Sequence, residues 1–287
     1  MIRDFLSLPA RSRKPRNTGV TLVLDKGIGL RQMEDLLASA SEHMDLVKLG
    51  WGTAYVTQDL RDKIKLYHQA GVPVYLGGTF LELAILQGRF DDYREAVTSL
   101  GLAHVELSTG VIELSVEEKT GYIQQLKKDF VVVSEVGSKS AQKVLPAYKW
   151  IECIQAELDA GAWKVICEGR ESGTVGLFHT DGEVKSGVVD EIVSRIDPSH
   201  LIFEAPQKAQ QVWFIQKFGA EVNLGNIATG DVIPLETLRL GLRADTMADF
   251  HDVKSWNSGK RAPAAATLVG RHSPERAGTN GHGQEGA

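Results

Sequence analysis

Short apolar runs alternate along this chain with longer stretches whose apolar residues recur every three or four positions. The runs are VTLVLD (20–25), LVKLG (46–50), VPVYLGG (72–78) and HVELSTG (104–110), then FVVVSEVG (130–137), KVICEGR (164–170), HLIFEAP (200–206) and VNLGN (222–226). Their length and apolar content predict eight buried strands. Between them, residues 30–43, 58–71, 116–129, 147–161, 185–196, 206–219 and 231–243 carry the helical period. Gly71, Gly161 and Gly219 stand where such helices stop. The runs start about every 22 to 36 residues, the length of one strand–helix unit. Eight units in the first 254 residues predict a single-domain (β/α)8 TIM barrel, an α/β fold. A doubly wound open sheet is the competing architecture, but no Gly-rich dinucleotide fingerprint follows the first run.

Composition narrows this picture. The chain has 287 residues, 43% hydrophobic and 24% charged, as expected of a folded globular protein. Residues 255–287 hold six glycines and an alanine run without apolar periodicity, which predicts a disordered C-terminal tail. No run of 18 apolar residues exists, and the N-terminus lacks the apolar stretch of a secretory signal. Two cysteines, Cys153 and Cys167, supply neither a disulfide framework nor a four-ligand zinc site. A reducing, cytoplasmic setting is the expectation. A net charge of −5 argues against nucleic acid as the main partner. The tail carries +2 (Lys260, Arg261, Arg271, Arg276, Glu275, Glu285), so the body carries −7 and any anion site on it must be local.

Chemistry gathers at the strand ends. With side chains alternating by two, Asp25 shares a face with Val23, Lys48 with Leu46, Glu106 with His104, Glu135 with Val133, Glu168 with Ile166 and Glu204 with Ile202. Each charge follows an apolar stretch near a C-terminal strand end, where barrels place their catalytic groups. The carboxylates among them are hard oxygen ligands of the kind Mg²⁺ takes. Arg16, Lys26, Lys48, Lys139 and Arg170 put positive charge in the same region. Such mixed signs around one mouth suit a metal ion and a polyanionic substrate. Gly-rich turns accompany the strand ends: DKGIG (25–29), LGWGT (49–53), LGGT (76–79), ESG (171–173) and NLGNIATGD (223–231). The last follows the eighth run and opens a helix, the usual phosphate position in a barrel.

The segments KPRNTGVTLVLDKG (14–27), DLVKLGWGT (45–53), YLGGTFLE (75–82), HVELSTG (104–110), SEVGSK (134–139) and CEGRESG (167–173) resemble the phosphosulfolactate synthase family, over roughly residues 14–247. The resemblance implies a (β/α)8 barrel, Mg²⁺, and addition of sulfite to phosphoenolpyruvate to give (2R)-phospho-3-sulfolactate. In methanogens that step opens coenzyme M synthesis. It also implies a homo-oligomer. The family is similar to plant heat-stress-associated proteins, so a non-catalytic relative is one alternative. Another is a barrel enzyme of enolpyruvate or aldol type using a Schiff-base lysine, for which Lys48 is better placed than Lys164. For the implied chemistry, Lys139 is expected to be the general acid to C2. Glu135 and Glu168, with Asp25 or Glu106, are expected to hold Mg²⁺. Arg16, Lys26, Lys48 and Arg170 are expected to bind phosphate, carboxylate and sulfite, and Asn226, Ile227 and Gly230 to offer donors to the phosphate.

Overall fold

The computed structural model describes residues 5–137 and 145–258. All eight expected strands form: β1 (Thr21–Asp25), β2 (Leu46–Leu49), β3 (Val74–Leu76), β4 (His104–Leu107), β5 (Val131–Val136), β6 (Lys164–Cys167), β7 (Leu201–Glu204) and β8 (Leu224–Ala228). They build one sheet in the order β3-β2-β1-β8-β7-β6-β5-β4, and every ladder is parallel. Pairing of β1 with β8 nearly closes the sheet on itself, leaving one seam, between β3 and β4, without a ladder. With helices alternating between strands, this is a (β/α)8 TIM barrel. The chain divides into two units, residues 1–251 and 252–287. The first holds the barrel.

The helices are α1 (Leu30–Ala40), α2 (Thr53–Val56), α3 (Leu60–Gln69), α4 (Gly78–Leu86), α5 (Phe90–Ser99), α6 (Val116–Leu126), α7 (Ala147–Ala160), α8 (Ser186–Val193), α9 (Lys208–Phe218), α10 (Val232–Arg239) and α11 (Ala244–Phe250). Local chemistry explains several ends. Ser115 and Glu118 form a reciprocal capping box at the start of α6. Gly161, in left-handed conformation, stops α7. The pair α4 and α5 has no counterpart among the helices expected from periodicity. In α4 (GTFLELAIL) apolar residues occupy most of the circumference, so no stripe marks it, and Leu83 and Leu86 remain exposed. Of the expected tail, residues 255–258 are described, and 255–257 belong to a short helix of the second unit, α12 (Val253–Asn257). The remainder lies outside the described residues.

Two apolar layers hold the barrel. The outer one joins Val23, Val47, Val105, Val132, Val165 and Phe203 to helix residues such as Met33, Ile64, Leu126, Trp150 and Ile192. The inner one is small: Leu22, Leu46, Tyr75, Val133, Ile166 and Ile202, all at most 1% exposed. It plugs the barrel, so anything above it faces a closed floor. The N-terminal ends of the strands are tied by polar groups. Arg239 donates to the carbonyls of Ala220, Val222 and Val20, and Lys164 Nζ to those of Asn17 (2.8 Å) and Ser199 (2.6 Å). Arg11 pairs with Glu221 and Glu236, and so latches the arm before β1 to residues of the last units.

Candidate active site

Parity carries five of the expected charges to one place. Lys48 on β2, Glu106 on β4, Glu135 on β5, Glu168 just beyond β6 and Glu204 on β7 stand above the inner layer, and all five are 7% exposed or less. They line a cavity of about 240 Å³ together with Leu24, Gly50, Trp51, Gly77, Gly78, Thr79, Arg170, Glu171 and Asn226. This is a small pocket by the usual range of roughly 300–1,000 Å³, and it fits a small ligand rather than a nucleotide.

Lys48 is the centre of the ring. Its ammonium lies 3.0 Å from Glu106 Oε2, 3.3 Å from Glu204 Oε1 and 3.4 Å from Glu135 Oε2. Burial alone would lower its pKa, but Glu106 and Glu204 outweigh burial and hold it well above the ordinary lysine value. Glu204 shows the opposite outcome. Burial pushes its carboxyl up, Lys48 pulls it down, Glu135 pushes it up again, and the net direction is upward.

Backbone donors aim these side chains. Glu204 Oε2 accepts from the N–H of Gly169 and of Arg170, both at 2.9 Å, and Glu168 Oε1 accepts from Arg170 N–H at 2.8 Å. Glu106 accepts from the Tyr75 hydroxyl (2.7 Å) and from Gly78 N–H (2.7 Å), across the seam. A Cβ at Gly78 would overlap Ser108 and the Glu106 carboxylate, so only glycine permits that approach. Lys119 Nζ donates to the Glu135 carbonyl at 2.7 Å and pairs with Glu157 at 2.7 Å, which anchors the end of β5.

One carboxylate oxygen from each of Glu135, Glu168 and Glu204 lies within 4.8 Å of the others. Three buried hard donors that converge this closely fit a divalent cation such as Mg²⁺. Four buried carboxylates line this cavity, so positive charge is favoured there. Glu204, rather than Asp25 or Glu106, is the third member of this group. Its parity with Ile202 was the same signal that marked Glu168.

Two expectations are corrected. Asp25 shares the outward face with Val23, because Leu22 and Leu24 point inward. It is fully buried beneath α3, where Lys63 (2.7 Å) and the Tyr67 hydroxyl (2.8 Å) hold Oδ2, and the N–H groups of Gly27 and Ile28 donate to Oδ1. Arg16 lies at the opposite end of the barrel, paired with Asp45 at 3.0 Å ahead of β2, since the segment preceding β1 enters from that end. Ile227 packs in the outer apolar layer, and Gly230 sits in the turn after β8; neither lines the cavity. Asn226 and Arg170 do line it. Lys26 is at the rim, its ammonium 5.0 Å from the centroid of the Trp51 ring. Lys139 lies outside the described residues.

Glu82 was not anticipated. This buried α4 residue accepts from the N–H groups of Gly110 (3.1 Å), Val111 (2.6 Å) and Ile112 (3.0 Å) and from the Ser108 hydroxyl. It shapes the loop after β4. A glutamate at an apolar helix position in YLGGTFLE was its only sequence signal.

Among the described residues, no helix is long and apolar enough to cross a membrane. A sequence model of the (2R)-phospho-3-sulfolactate synthase (ComA) family matches residues 9–245. The chain is similar to phosphosulfolactate synthase of Bacillus subtilis (strain 168), 43% identical over 249 residues, covering 85% of this chain and 99% of that protein. It is also similar to phosphosulfolactate synthase of Methanocaldococcus jannaschii, 46% identical over 234 residues, covering 79% and 93%. Protein HEAT-STRESS-ASSOCIATED 32 of Arabidopsis thaliana is more distant, 22% identical over 271 residues, covering 83% and 91%.

Proposed function

Because this chain belongs to the (2R)-phospho-3-sulfolactate synthase family and is an enzyme of that family, we propose that it adds sulfite to phosphoenolpyruvate in the cavity above Lys48. The observation that carries this reading is the Lys48 ammonium set among Glu106, Glu135 and Glu204, with Glu168 beside them. Sulfite sulfur forms a bond to C3 of the enol. The C2–C3 π electrons move toward C2 and the carboxylate, and a proton then comes to C2 from one face. The product is (2R)-phospho-3-sulfolactate, and no other group leaves.

Two anions and a developing third charge have to be stabilised, which preorganised cations do best in a site with little water. Lys48 and Arg170 supply the charge within the cavity, and Lys26 supplies it at the rim. Asn226 offers an amide to phosphate oxygens. Lys139, two residues past Gly137, is the proposed acid to C2; its amine recovers a proton from solvent after each turnover. Glu135, Glu168 and Glu204 are the residues that would hold Mg²⁺. When bound, that ion would offset the carboxylate charge and favour electron density on the substrate carboxylate.

A Schiff-base route fits less well. It needs a neutral amine, and the surrounding carboxylates keep Lys48 charged. The exposed apolar residues Tyr55, Val56, Leu83 and Leu86 on α2 and α4 support self-association of this chain. The deciding experiment incubates the protein with phosphoenolpyruvate, sulfite and Mg²⁺ and follows the sulfonate by mass spectrometry. Formation of (2R)-phospho-3-sulfolactate is expected, with most of kcat lost in Lys139→Ala. Absence of product from the full chain would overturn the assignment.

A further inference from the structure

Among the described residues, three non-glycine residues take left-handed backbone: Trp51 (φ 57°), Arg170 (φ 55°) and Asn226 (φ 55°). Trp51 and Arg170 follow β2 and β6, Asn226 lies within β8, and all three line the same cavity. Backbone of this kind costs free energy for any residue with a Cβ and gathers where function demands it. Asparagine tolerates it best; a bulky residue such as tryptophan tolerates it poorly. Trp51 stands between Gly50 and Gly52, so a third glycine would suit the chain better. The indole is also 56% exposed, so core packing does not account for it.

What the indole touches is Lys26. The Lys26 ammonium lies over the ring, 5.0 Å from its centroid. The turn that carries Lys26 is pinned from below by Asp25, which accepts from Gly27 N–H (2.7 Å) and Ile28 N–H (3.1 Å). Lys63 adds a bond to the Ile28 carbonyl at 2.8 Å. Backbone and ammonium are therefore held independently, the first by the Asp25 network and the second by the Trp51 face. Inside the mouth stand four buried carboxylates, which repel an approaching polyanion.

We propose that Trp51 is a positioning residue for substrate capture: its indole holds the Lys26 ammonium at the mouth, where that cation receives the phosphorylated substrate. The proposal rests on the phosphoenolpyruvate reading above. Its effect falls on capture and not on the chemical step.

Steady-state kinetics of the wild type, Trp51→Phe, Trp51→Ala, Lys26→Ala and the double alanine variant test it. Trp51→Ala should raise KM for phosphoenolpyruvate about threefold to tenfold with little change in kcat, the scale of a lost cation–π contact and a freed side chain. Trp51→Phe, which keeps a ring face, should restore most of the loss. The double variant should be no worse than the worse single one. Melting temperature should not fall in Trp51→Ala. An unchanged KM, a loss confined to kcat, or fully additive single effects would each overturn the proposal. If the wild type makes no sulfonate, the activity reading fails by itself. Calorimetric titration with phosphoenolpyruvate alone then decides: the same ranking of affinities supports the role of Trp51, and equal affinities or no binding by the wild type overturn it.

Discussion

The Tyr75 hydroxyl donates to Glu106 Oε2 at 2.7 Å, across the seam where β3 and β4 share no ladder. Gly78 N–H reaches the other oxygen of the same carboxylate, also at 2.7 Å. Glu106 therefore closes the barrel with the same group that faces the cavity. Tyr75→Phe keeps the ring in the inner layer and removes one donor from a buried carboxylate. It should destabilise the protein by about 1–3 kcal/mol, read as a lower urea midpoint. An unchanged midpoint would mean that the seam is held without this bond.

Lys48→Met removes an ammonium that Glu106, Glu135 and Glu204 share. Breaking such a buried network costs about 3–5 kcal/mol, and activity should be lost. The pH dependence has a definite sign. Glu204 already lies above its ordinary value of 4.5, and without Lys48 it rises further. A carboxyl raised in the folded state lowers stability once pH exceeds the unfolded value. The deficit of the variant should accordingly shrink as pH falls from 8 toward 5, followed by melting temperature. A deficit that grew on acidification would refute the account.

Glutamine substitutions at Glu135, Glu168 and Glu204 test the metal assignment. Chelation should abolish product formation and Mg²⁺ should restore it. Each variant should raise the Mg²⁺ concentration needed for half-maximal activity, by about 10-fold or more. Calorimetry with Mg²⁺ should show the same weakening in the absence of substrate. Wild-type affinity in all three variants would remove these residues from the site.

Glu82→Gln leaves the loop after β4 with a neutral acceptor in place of a charged one. Hydrogen exchange at Gly110, Val111 and Ile112 should accelerate in the variant, because all three N–H groups point at that carboxylate. Exchange in β5 serves as the internal control. Unchanged protection at 110–112 would show that Glu82 does not organise the loop.

Lys164, at the N-terminal end of β6, gives a second pH test. Burial lowers its pKa from 10.5 to about 8. Between those values the unfolded chain binds a proton that the folded one does not, so this residue makes stability rise with pH across that window. Relative to Lys164→Met, the wild type should gain melting temperature as pH climbs from 8 toward 10.5. A flat difference between the two proteins would contradict the shift.

Eight strands and the ring of Lys48, Glu106, Glu135, Glu168 and Glu204 were legible because each charge interrupts an otherwise apolar run at its C-terminal end. The orientation of β1 was not. TLVLD is apolar on both faces, as strands of a parallel barrel buried on both sides are, so alternation alone could not say which of Leu24 and Asp25 points inward. Arg16 was misplaced for a topological reason: no residue a few positions ahead of β1 can reach the other end of the barrel without a long excursion. The partnership of Glu82 with the loop at 110–112 joins residues almost thirty apart, which no local pattern encodes. Trp51 showed only as an aromatic between two glycines, and its left-handed backbone became visible only in three dimensions.

The latch between the N-terminal arm and the last units bears on synthesis at the ribosome. Arg11 meets Glu221 and Glu236, 210 and 225 residues further on, and β1 takes β8 as one of its two neighbours. The first strand therefore emerges with one edge that stays open until nearly the whole barrel has been made. Contacts of such separation form slowly, and an uncovered strand edge invites pairing with another chain. The nascent protein is therefore vulnerable through most of its synthesis, from the appearance of β1 to the arrival of β8.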